Sequence, residues 1–430
     1  MRIGVVGVNF HPERVGIGVY THDMCRFFAE AGHRVSVITG FPFYPELRPD
    51  PQYAGRWFLT EHVDGITVCR CFTYVPKRWS VAGRILHELS FLVSALPRLL
   101  ALPKQDVLVV VSPPFLPAVL STLVARFRGI PVAVHIQDLQ PDAASNLGML
   151  RNRFVLRRLY HAEHELYRRA ALVSALDESM CARIVNKGIA AQKVVTFPNW
   201  VDVNFTPVSD RGAPFRMQNG FGEQFLVVYS GSMGLKQGLE LMLEVAALAG
   251  QDSDVRFVLM GDGAARRHLE AVAHARGLTN VTFLPLQPLE MFGAAVAASD
   301  ISFIPQRPEV RDLVVPSKVL RILANGSPIV AAAHPESGLA QLVRQSGAGV
   351  VVSRDDPSVM WDVIRELRSN PARRMGMGER GRAYAAEHFD RRMVLGDYLR
   401  RLGDVALRND RVATDEGSRS GMQVTPRRSP

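Results

Sequence analysis

Short, strongly apolar segments alternate with longer segments of helical periodicity along almost the whole chain. Several of the short segments, such as Val107–Ser112 and Pro131–Ile136, are hydrophobic throughout, which is typical of parallel strands buried on both faces. Strands separated by helices predict doubly wound α/β layers. The predicted strands are Ile3–Val8, Val35–Thr39, Thr67–Tyr74, Val107–Ser112, Pro131–Ile136, Leu172–Ala175 and Val194–Phe197, then Phe225–Ser230, Val255–Met260, Val281–Leu284, Ile301–Pro305, Pro328–Ala332 and Gly349–Val352.

The breaks in this pattern divide the chain into two α/β domains. Residues 206–223 lie in a stretch rich in proline and glycine without an apolar period, which is typical of a linker. We predict an N-terminal Rossmann-like domain at residues 1–205 and a second one at residues 224–385. A closing helix is predicted at residues 386–408, and the polar, aperiodic residues 409–430 are predicted to form a disordered tail.

Composition and charge narrow the class of protein and its partners. The chain has 430 residues, 47% hydrophobic and 21% charged, which excludes a collagen-like, coiled-coil or wholly disordered protein. Lys and Arg number 51 against 41 Asp and Glu, a net charge of +10. This excess favours an anionic partner: a nucleic acid, an acidic membrane surface or a phosphorylated small molecule.

Cysteine usage and hydropathy indicate the compartment. The four cysteines have neither zinc-ligand nor disulfide spacing, and no signal-peptide pattern precedes the first predicted strand. The most apolar long stretch, residues 83–102, is interrupted by charged residues before it reaches the roughly 18 to 20 uncharged residues of a spanning helix. We therefore expect a cytoplasmic protein without a transmembrane anchor.

A glycine pair follows the first predicted strand and opens a helix. Gly16 and Gly18 allow a ligand to approach the backbone closely, and the helix start presents N–H groups to it. A nicotinamide-binding site is the obvious alternative. It fails because Thr21 occupies the place of the third glycine, and the second strand ends in Thr39-Gly40 without the acidic residue that binds ribose. A tight turn with no ligand remains the structural alternative.

The segment after Pro131–Ile136 carries candidate catalytic groups. Ligands of open α/β sheets bind outside the carboxyl ends of the strands, where this sequence places His135 and Asp138. A histidine at a strand end is often purely structural, and both interpretations stay open. Further along, Asn199 and Trp200 follow a rigid proline before the linker, a pattern that suits a hinge or the wall of a cleft.

Three loops in the second half have the pattern of a diphosphate-binding site. The first runs from Tyr229 to Gly238 between a strand and a helix, and it combines small residues with a lysine. Glycines open the backbone, a helix N-terminus supplies about half a positive charge, and Lys236 supplies a full one. The loop lacks the Gly-Lys-Ser/Thr ending of a Walker A motif. The predicted donor-binding residues are Gly231, Ser232, Gly234, Lys236, Gln237, Gly261, Asp262, Ser317, Lys318 and Val319.

These motifs together resemble the retaining group-four glycosyltransferases of GT-B fold, most closely the branch of the colanic-acid-type fucosyltransferases. The resemblance extends to about Leu402. It rests, in chain order, on the Gly16/Gly18 loop, His135-Ile136-Gln137-Asp138, Pro198-Asn199-Trp200-Val201-Asp202, the loop Tyr229–Gly238, and Pro316-Ser317-Lys318 with Ala324-Asn325-Gly326-Ser327-Pro328.

The resemblance implies two Rossmann-like domains and a nucleotide-sugar donor held mainly by the C-terminal one, with Lys236 on the diphosphate. It implies that the N-terminal domain takes a glycan or polyprenyl-linked glycan acceptor, with Gly16, Ile17, Gly18, Asn199 and Trp200 as the acceptor or cleft loop. His135 and Asp138 are then expected to position the substrates in a retaining hexosyl or deoxyhexosyl transfer for exopolysaccharide or O-antigen synthesis. Because fixed positive groups serve the leaving diphosphate, we expect no cofactor and no metal.

One position departs from the family pattern. Many relatives carry a glutamate five residues before the glycine of the Ala-x-Gly-x-Pro stretch, where it binds the donor ribose, and a second one eight residues earlier. Here those positions are Arg321 and Leu313. The ribose contact is therefore not carried over, and GDP-, UDP- and dTDP-linked sugars all remain open as donors.

Two arginine-rich stretches raise the question of a membrane. Residues 76–104 and 151–169 combine basic and apolar side chains in a pattern that fits an anionic bilayer surface, although amphipathic helices of α/β domains usually cover their own sheet.

The competing functions are a nucleotide-sugar epimerase of GT-B-like fold and a non-catalytic nucleotide-sugar-binding module. Nucleic-acid binding is the weakest alternative, because the chain has no recognisable module for it.

Overall fold

The chain forms two compact units in a computed structural model. It describes residues 1–13, 16–44, 46–77, 79–142, 152–203, 212–234, 237–250, 254–285, 287, 289–307, 317–352 and 356–420. One unit comprises Met1–Pro198 together with Leu395–Pro430, and the other comprises Asn199–Val394.

The first unit is built on a sheet of eight strands in the order β3-β4-β2-β1-β5-β6-β7-β8. All neighbouring strands pair in parallel except β3, which runs antiparallel to β4 at the edge. The strands are β1 Arg2–Val6, β2 Arg34–Gly40, β3 Phe58–Val63, β4 Ile66–Cys71, β5 Val107–Ser112, β6 Val132–Ile136, β7 Leu172–Ala175 and β8 Val194–Thr196. The α-helices are α1 Ile17–Glu30, α2 Val81–Ala101, α3 Phe115–Phe127, α4 Arg153–Arg169 and α5 Glu178–Asn186.

Side-chain caps fix where several of these helices begin. Ser80, Asn152 and Asp177 each accept a hydrogen bond from a backbone N–H in the first turn of the helix that follows. Central strands such as β5 and β6 are buried along their whole length, as their continuous hydrophobicity predicts.

The second unit contains a sheet of six parallel strands in the order β11-β10-β9-β12-β13-β14. The strands are β9 Phe225–Ser230, β10 Val255–Met260, β11 Val281–Leu284, β12 Ile301–Pro305, β13 Ile329–Ala332 and β14 Gly349–Val352. The helices are α6 Gly212–Gln218, α7 Glu240–Ala249, α8 Arg266–Ala275, α9 Leu289–Ala298, α10 Ser317–Asn325, α11 Gly338–Ser346, α12 Pro357–Ser369 and α13 Pro371–His388. A last helix, α14 Arg391–Ser420, begins in this unit and continues into the first.

Every predicted strand is present, and the prediction of two doubly wound α/β layers is confirmed. Three predicted boundaries are wrong. Helix α6 lies inside the predicted linker at 206–223, and its Phe215 is buried together with Phe221 in the core of the second unit. The first unit ends at Pro198 instead of residue 205. Helix α14 continues to Ser420, so residues 409–420 are helical where a disordered tail was predicted, while residues 421–430 lie outside the described part.

Candidate functional site

The predicted donor-binding residues lie at the carboxyl ends of the strands around one point of the second sheet. Strand β9 pairs with β10 on one side and with β12 on the other, so the direction of strand addition reverses there. Open α/β sheets bind ligands at such a point. Gly231 follows β9, Gly261 follows β10, and Lys318 lies in the first turn of the helix that comes after β12.

The two glycine loops pack directly against each other through their backbones. Gly231 N donates to Met260 O at 2.9 Å, and Met233 N donates to Asp262 O at 2.7 Å. A Cβ placed on Gly261 would lie 1.8 Å from Gly231 O, and one placed on Gly263 would lie 2.6 Å from Met233 O. No side chain fits at either position, so both glycines are required for the loops to approach this closely.

Lys318 reaches this loop from helix α10. Its ammonium nitrogen lies 3.9 Å from the centre of the Tyr229 ring and 3.5 Å from the place of a Cβ on Gly231. The Lys318 side chain as a whole is half-buried, and burial of the ammonium group lowers its pKa to about 7. Within the described part of the chain, no carboxylate forms an ion pair with it. The structure thus brings Lys318, Gly231 and Gly261 together, and their role in donor binding stays a prediction.

The remaining predicted donor residues differ in what they contact. The Gln237 amide oxygen is buried without a hydrogen-bond partner among the described residues, and the Asp262 carboxylate accepts from Gly263 N at 2.7 Å. Val319 is fully buried and packs in the core, whereas Ser317 is exposed. The backbone of Ser232 accepts a hydrogen bond from the Tyr229 hydroxyl at 2.6 Å. Lys236 lies outside the described residues, as do Leu313 and Pro316.

Sequence reasoning missed two groups beside this loop. Arg266, the first residue of α8, donates to Gly261 O at 2.6 Å and to Leu284 O at 3.1 Å, so it fixes the end of the second glycine loop. Tyr229 supports Lys318 with its ring and the first loop with its hydroxyl. An arginine one turn after a strand-end glycine is a detectable signal, but the function of a strand tyrosine depends on packing that the sequence does not display.

In the first unit, His135 is enclosed at the carboxyl end of β6. Its Nδ1 donates to Ser174 Oγ at 3.1 Å, and its Nε2 lies 2.9 Å from the Gln137 amide nitrogen, from which it accepts. Phe197 packs edge-on against the imidazole, and the ring of Tyr398 stacks on Phe197. Burial lowers the pKa of His135 to about 3, so the ring is neutral at physiological pH. The described contacts satisfy both ring nitrogens, and the predicted catalytic role of His135 stays a prediction.

Asp138 is exposed three residues further on, so it does not share the enclosed environment of His135. Behind this segment, Lys187 Nζ lies 2.7 Å from Asp142 Oδ2 and 2.6 Å from Glu163 Oε2. The Glu163 side chain is buried, and burial raises its pKa against the opposing effect of Lys187. This ion-pair network joins α4, α5 and the segment that follows β6, and it fixes the position of Asp142.

The Gly16–Gly18 segment packs on a buried glutamate that sequence reasoning missed. Glu13 accepts from the Asn9 amide at 2.9 Å and from the backbone N–H groups of Phe43 and Tyr44 at 3.3 and 3.2 Å. Burial raises the pKa of Glu13 to about 7. A Cβ on Gly18 would lie 2.8 Å from Glu13 Oε2, so the glycine is needed for this packing. Ile17 is half-buried beside it.

Asn199 and Trp200 belong to the second unit, not to the first with Gly16 and Gly18. Trp200 is 5% exposed, and the next residue, Val201, is hydrogen-bonded through its backbone to Phe389 and Arg391. Arg321 lies half-buried on α10.

In the described ranges, no three His, Cys, Asp or Glu side chains come together as a metal site. No helix there has both the length and the hydropathy needed to cross a bilayer.

Comparison with known proteins agrees with this architecture. Residues 15–200 match the glycosyl transferase 4-like domain, and residues 214–384 match the glycosyl transferases group 1. The chain is 33% identical over 416 residues to the putative colanic acid biosynthesis glycosyl transferase WcaI of Escherichia coli K12, an alignment that covers 93% of this chain and 99% of that protein.

Solved structures share the fold at low sequence identity. Anabaena HepE in complex with UDP superposes with a TM-score of 0.70 at 17% identity, covering 94% of this chain and all of HepE. WaaG, described as a glycosyltransferase involved in lipopolysaccharide biosynthesis, superposes with a TM-score of 0.63 at 16% identity, covering 89% of this chain and 95% of WaaG. Together with the full-length similarity to WcaI, these matches show that the chain belongs to the group 1 glycosyltransferases of GT-B fold.

Proposed function

We propose that this glycosyltransferase moves a hexosyl or deoxyhexosyl group from a nucleotide-sugar donor to a polyprenyl-linked glycan, with retention of anomeric configuration, during exopolysaccharide or O-antigen synthesis. The observation that carries the proposal is the group of Gly231, Gly261 and Lys318 at the switch point of the second sheet. A backbone surface without side chains, beside a lysine with no carboxylate partner among the described residues, suits a diphosphate.

The relatives support the proposed function. HepE binds UDP, and WcaI and WaaG are named for colanic acid and lipopolysaccharide biosynthesis. A diphosphate bound at Gly231 and Gly261 carries negative charge that increases as the bond to the sugar breaks. Lys318 and Lys236 then stabilise the leaving group electrostatically, and we propose that the reaction needs no metal for that purpose.

In the first unit, we propose that His135 acts by position. As a neutral residue it holds Gln137 through one ring nitrogen and Ser174 through the other, and so orients the segment that carries Asp138. The acceptor proton is proposed to pass to a donor phosphate oxygen as the glycosidic bond forms, so the chemistry needs no carboxylate nucleophile. Gly16, Ile17, Gly18, Asn199 and Trp200 remain the proposed acceptor or cleft residues.

The test is a transfer assay with GDP-, UDP- and dTDP-sugars and a polyprenyl-linked glycan, analysed by mass spectrometry and by NMR of the new anomeric centre. We expect one donor to give a product with the donor's configuration, with activity that EDTA does not remove. Mass spectrometry of the lipid-linked glycans that accumulate in a gene deletion would identify the acceptor.

A donor converted to its epimer without any acceptor, or donor binding without transfer to any acceptor, would contradict the proposal. Lys236→Ala should weaken donor binding in calorimetry, whereas Lys104→Ala, a charge-matched change in the other unit, should not. Equal donor affinity in both variants would remove Lys236 from the site.

A further inference from the structure

One buried side chain joins the segment that follows β1 to the segment that follows β2. Glu13 Oε1 accepts from two consecutive backbone N–H groups of the second segment, those of Phe43 and Tyr44. Glu13 Oε2 accepts from Asn9 Nδ2 of the first segment. Consecutive backbone N–H groups that converge on one oxygen form a small anion-binding concavity. Glu13 is 6% exposed, so these three donors enclose its carboxylate.

The segment after β2 is also held from its other side, by the ring of Phe43. This ring is buried, and its centre lies 5.9 Å from the stacked ring of Trp79 and 4.8 Å from the imidazole of His87 on α2. His87 is itself fixed, because its Nδ1 donates to Tyr74 O at 2.7 Å. The backbone at Phe43 therefore lies between the Glu13 carboxylate and an aromatic cluster.

Tyr44, the next residue, lies at the surface beside Gly16. It is 40% exposed, and its ring carbon Cε1 lies 3.3 Å from the place of a Cβ on Gly16. Gly16 has a φ of 75°, so glycine suits both this backbone conformation and the approach of the ring. Strands β1 and β2 are parallel neighbours, and both segments follow their carboxyl ends, where open α/β sheets bind ligands.

We propose that Glu13 is a positioning residue for glycosyl transfer, which holds the Tyr44 ring beside Gly16 as a wall of the acceptor site. A tyrosine ring has an apolar face and a hydroxyl group, which suits a sugar ring with C–H groups on its face and hydroxyl groups at its edge. Glu13 does not itself touch the acceptor, because its carboxylate is enclosed. The inference rests on the proposed function and deepens it, since it adds a contact residue and a positioning residue to the acceptor side.

Steady-state kinetics test the contact, with the lipid-linked glycan extracted from cells in which the gene is deleted as the acceptor. We expect Tyr44→Ala to raise the acceptor KM about tenfold and to leave donor affinity in calorimetry unchanged, because only the acceptor loses an apolar contact. Tyr44→Phe keeps the ring and should stay within about threefold of wild type.

The matched control for Tyr44→Ala is Phe127→Ala. Phe127 is 89% exposed and is the last residue of α3, which begins after the carboxyl end of β5 and returns to the amino end of β6. Its ring is therefore an exposed aromatic group at the opposite edge of the same sheet. We expect the acceptor KM of Phe127→Ala to equal that of wild type.

Glu13→Leu and Glu13→Gln test the positioning. Leucine is similar in size to glutamate but accepts no hydrogen bond, whereas the glutamine oxygen still accepts from the N–H groups of Phe43 and Tyr44. We expect Glu13→Leu to raise the acceptor KM about tenfold and to speed hydrogen exchange of these two amides about tenfold, since each loses a hydrogen bond. Glu13→Gln should restore both to near the wild-type values.

A double variant shows whether Glu13 acts through Tyr44. Tyr44→Ala should add little to the effect of Glu13→Leu on the acceptor KM, because both changes remove the same contact. Additive effects in the double variant would overturn the proposed link. Circular dichroism and donor affinity report whether each variant folds, and Tyr44→Ala tests the contact at an exposed position even if Glu13→Leu does not fold.

The outcomes separate this inference from the proposed function. Transfer by the wild type together with a wild-type acceptor KM in Tyr44→Ala would overturn the contact alone. Unchanged hydrogen exchange at Phe43 and Tyr44 in Glu13→Leu would overturn the positioning, and this measurement needs no substrate. No transfer by the wild type to the extracted glycan would contradict the proposed function and, with it, the acceptor contact.

Discussion

The polar groups at the strand ends are arranged differently in the two units. At β6 in the first unit, side chains satisfy one another: His135 is bonded at both ring nitrogens, and Lys187 is paired with two carboxylates. At β9 and β10 in the second unit, the close contacts are between backbones, and the ammonium of Lys318 faces an aromatic ring. The first region therefore fixes the positions of its side chains, whereas the second holds a lysine without a carboxylate partner among the described residues, as the proposed diphosphate site requires.

The largest expected effect comes from Gly261→Ala. The new methyl group would meet Gly231 O at 1.8 Å, so the two glycine loops must separate. Because this contact forms the proposed donor surface, we expect donor binding to fall by more than about 100-fold, as when a buried contact of a few kcal/mol is lost. Calorimetry with the nucleotide sugar measures it.

The control is Gly293→Ala in α9, where nothing lies within 4 Å of the added carbon. There, alanine should raise the free energy of unfolding by up to about 1 kcal/mol through helix propensity and leave donor binding intact. Wild-type donor affinity in Gly261→Ala would show that the glycine loops do not form the donor surface.

His135→Ala probes the other side of the comparison and should have the second largest effect. Removing the ring deletes two buried hydrogen bonds, one to Gln137 and one to Ser174, which costs about 1–3 kcal/mol of folding free energy. We expect turnover to fall about 10- to 100-fold, a loss of about 1.4–2.7 kcal/mol in the barrier, with little change in donor affinity. Steady-state kinetics and urea unfolding separate the two effects.

Ser174→Ala removes one of the two partners and should lie between wild type and His135→Ala in both measurements. Because the pKa of His135 is lowered to about 3, its ring takes up no proton between pH 5 and 9, and kcat should show no inflection from it in that range. Wild-type turnover in His135→Ala would remove the residue from the mechanism.

Sequence alone predicted all the strands that are buried on both faces, because a short run of uninterrupted hydrophobicity is typical of a strand inside a parallel sheet. It missed β3, whose side chains alternate between half-buried and exposed at the sheet edge, so that Glu61 and His62 interrupt the pattern. The prediction of a linker at residues 206–223 was wrong. Its glycines and prolines are typical of a linker, but Phe215 and Phe221 in the same stretch pack in the core. Local breakers are visible in a sequence, whereas the tertiary contacts that override them are not.

The same limit applies to the candidate sites. Strand-end position was enough to select Gly231, Gly261 and Lys318, because loops at the switch point of a parallel sheet converge. It did not reveal that His135 is enclosed, since that depends on Phe197 and on Tyr398 from the last helix.

The smallest expected effect is a pH dependence of donor binding. It arises from Lys318 in the second unit, and His135 in the first unit has no counterpart to it. Burial lowers the pKa of Lys318 to about 7, and burial also raises the pKa of the adjacent Tyr229, which therefore stays protonated. A bound diphosphate favours the charged lysine, so binding above pH 7 must take up a proton. We expect donor affinity to fall about tenfold between pH 6 and pH 8, since one unit above its pKa only about a tenth of a group is protonated.

Calorimetry in buffers of different ionisation enthalpy would count the protons taken up. Lys318→Arg keeps its charge throughout this range, because a guanidinium does not deprotonate in proteins, so its donor affinity should be independent of pH. Lys318→Met should bind weakly at every pH. The diphosphate of a nucleotide sugar does not titrate here, since each phosphate has one ester and one anhydride bond and therefore no second ionisation near pH 7. The same pH dependence in wild type and Lys318→Arg would therefore place the titrating group elsewhere. It would also remove the contrast between Lys318, which has no carboxylate partner among the described residues, and the paired groups of the first unit.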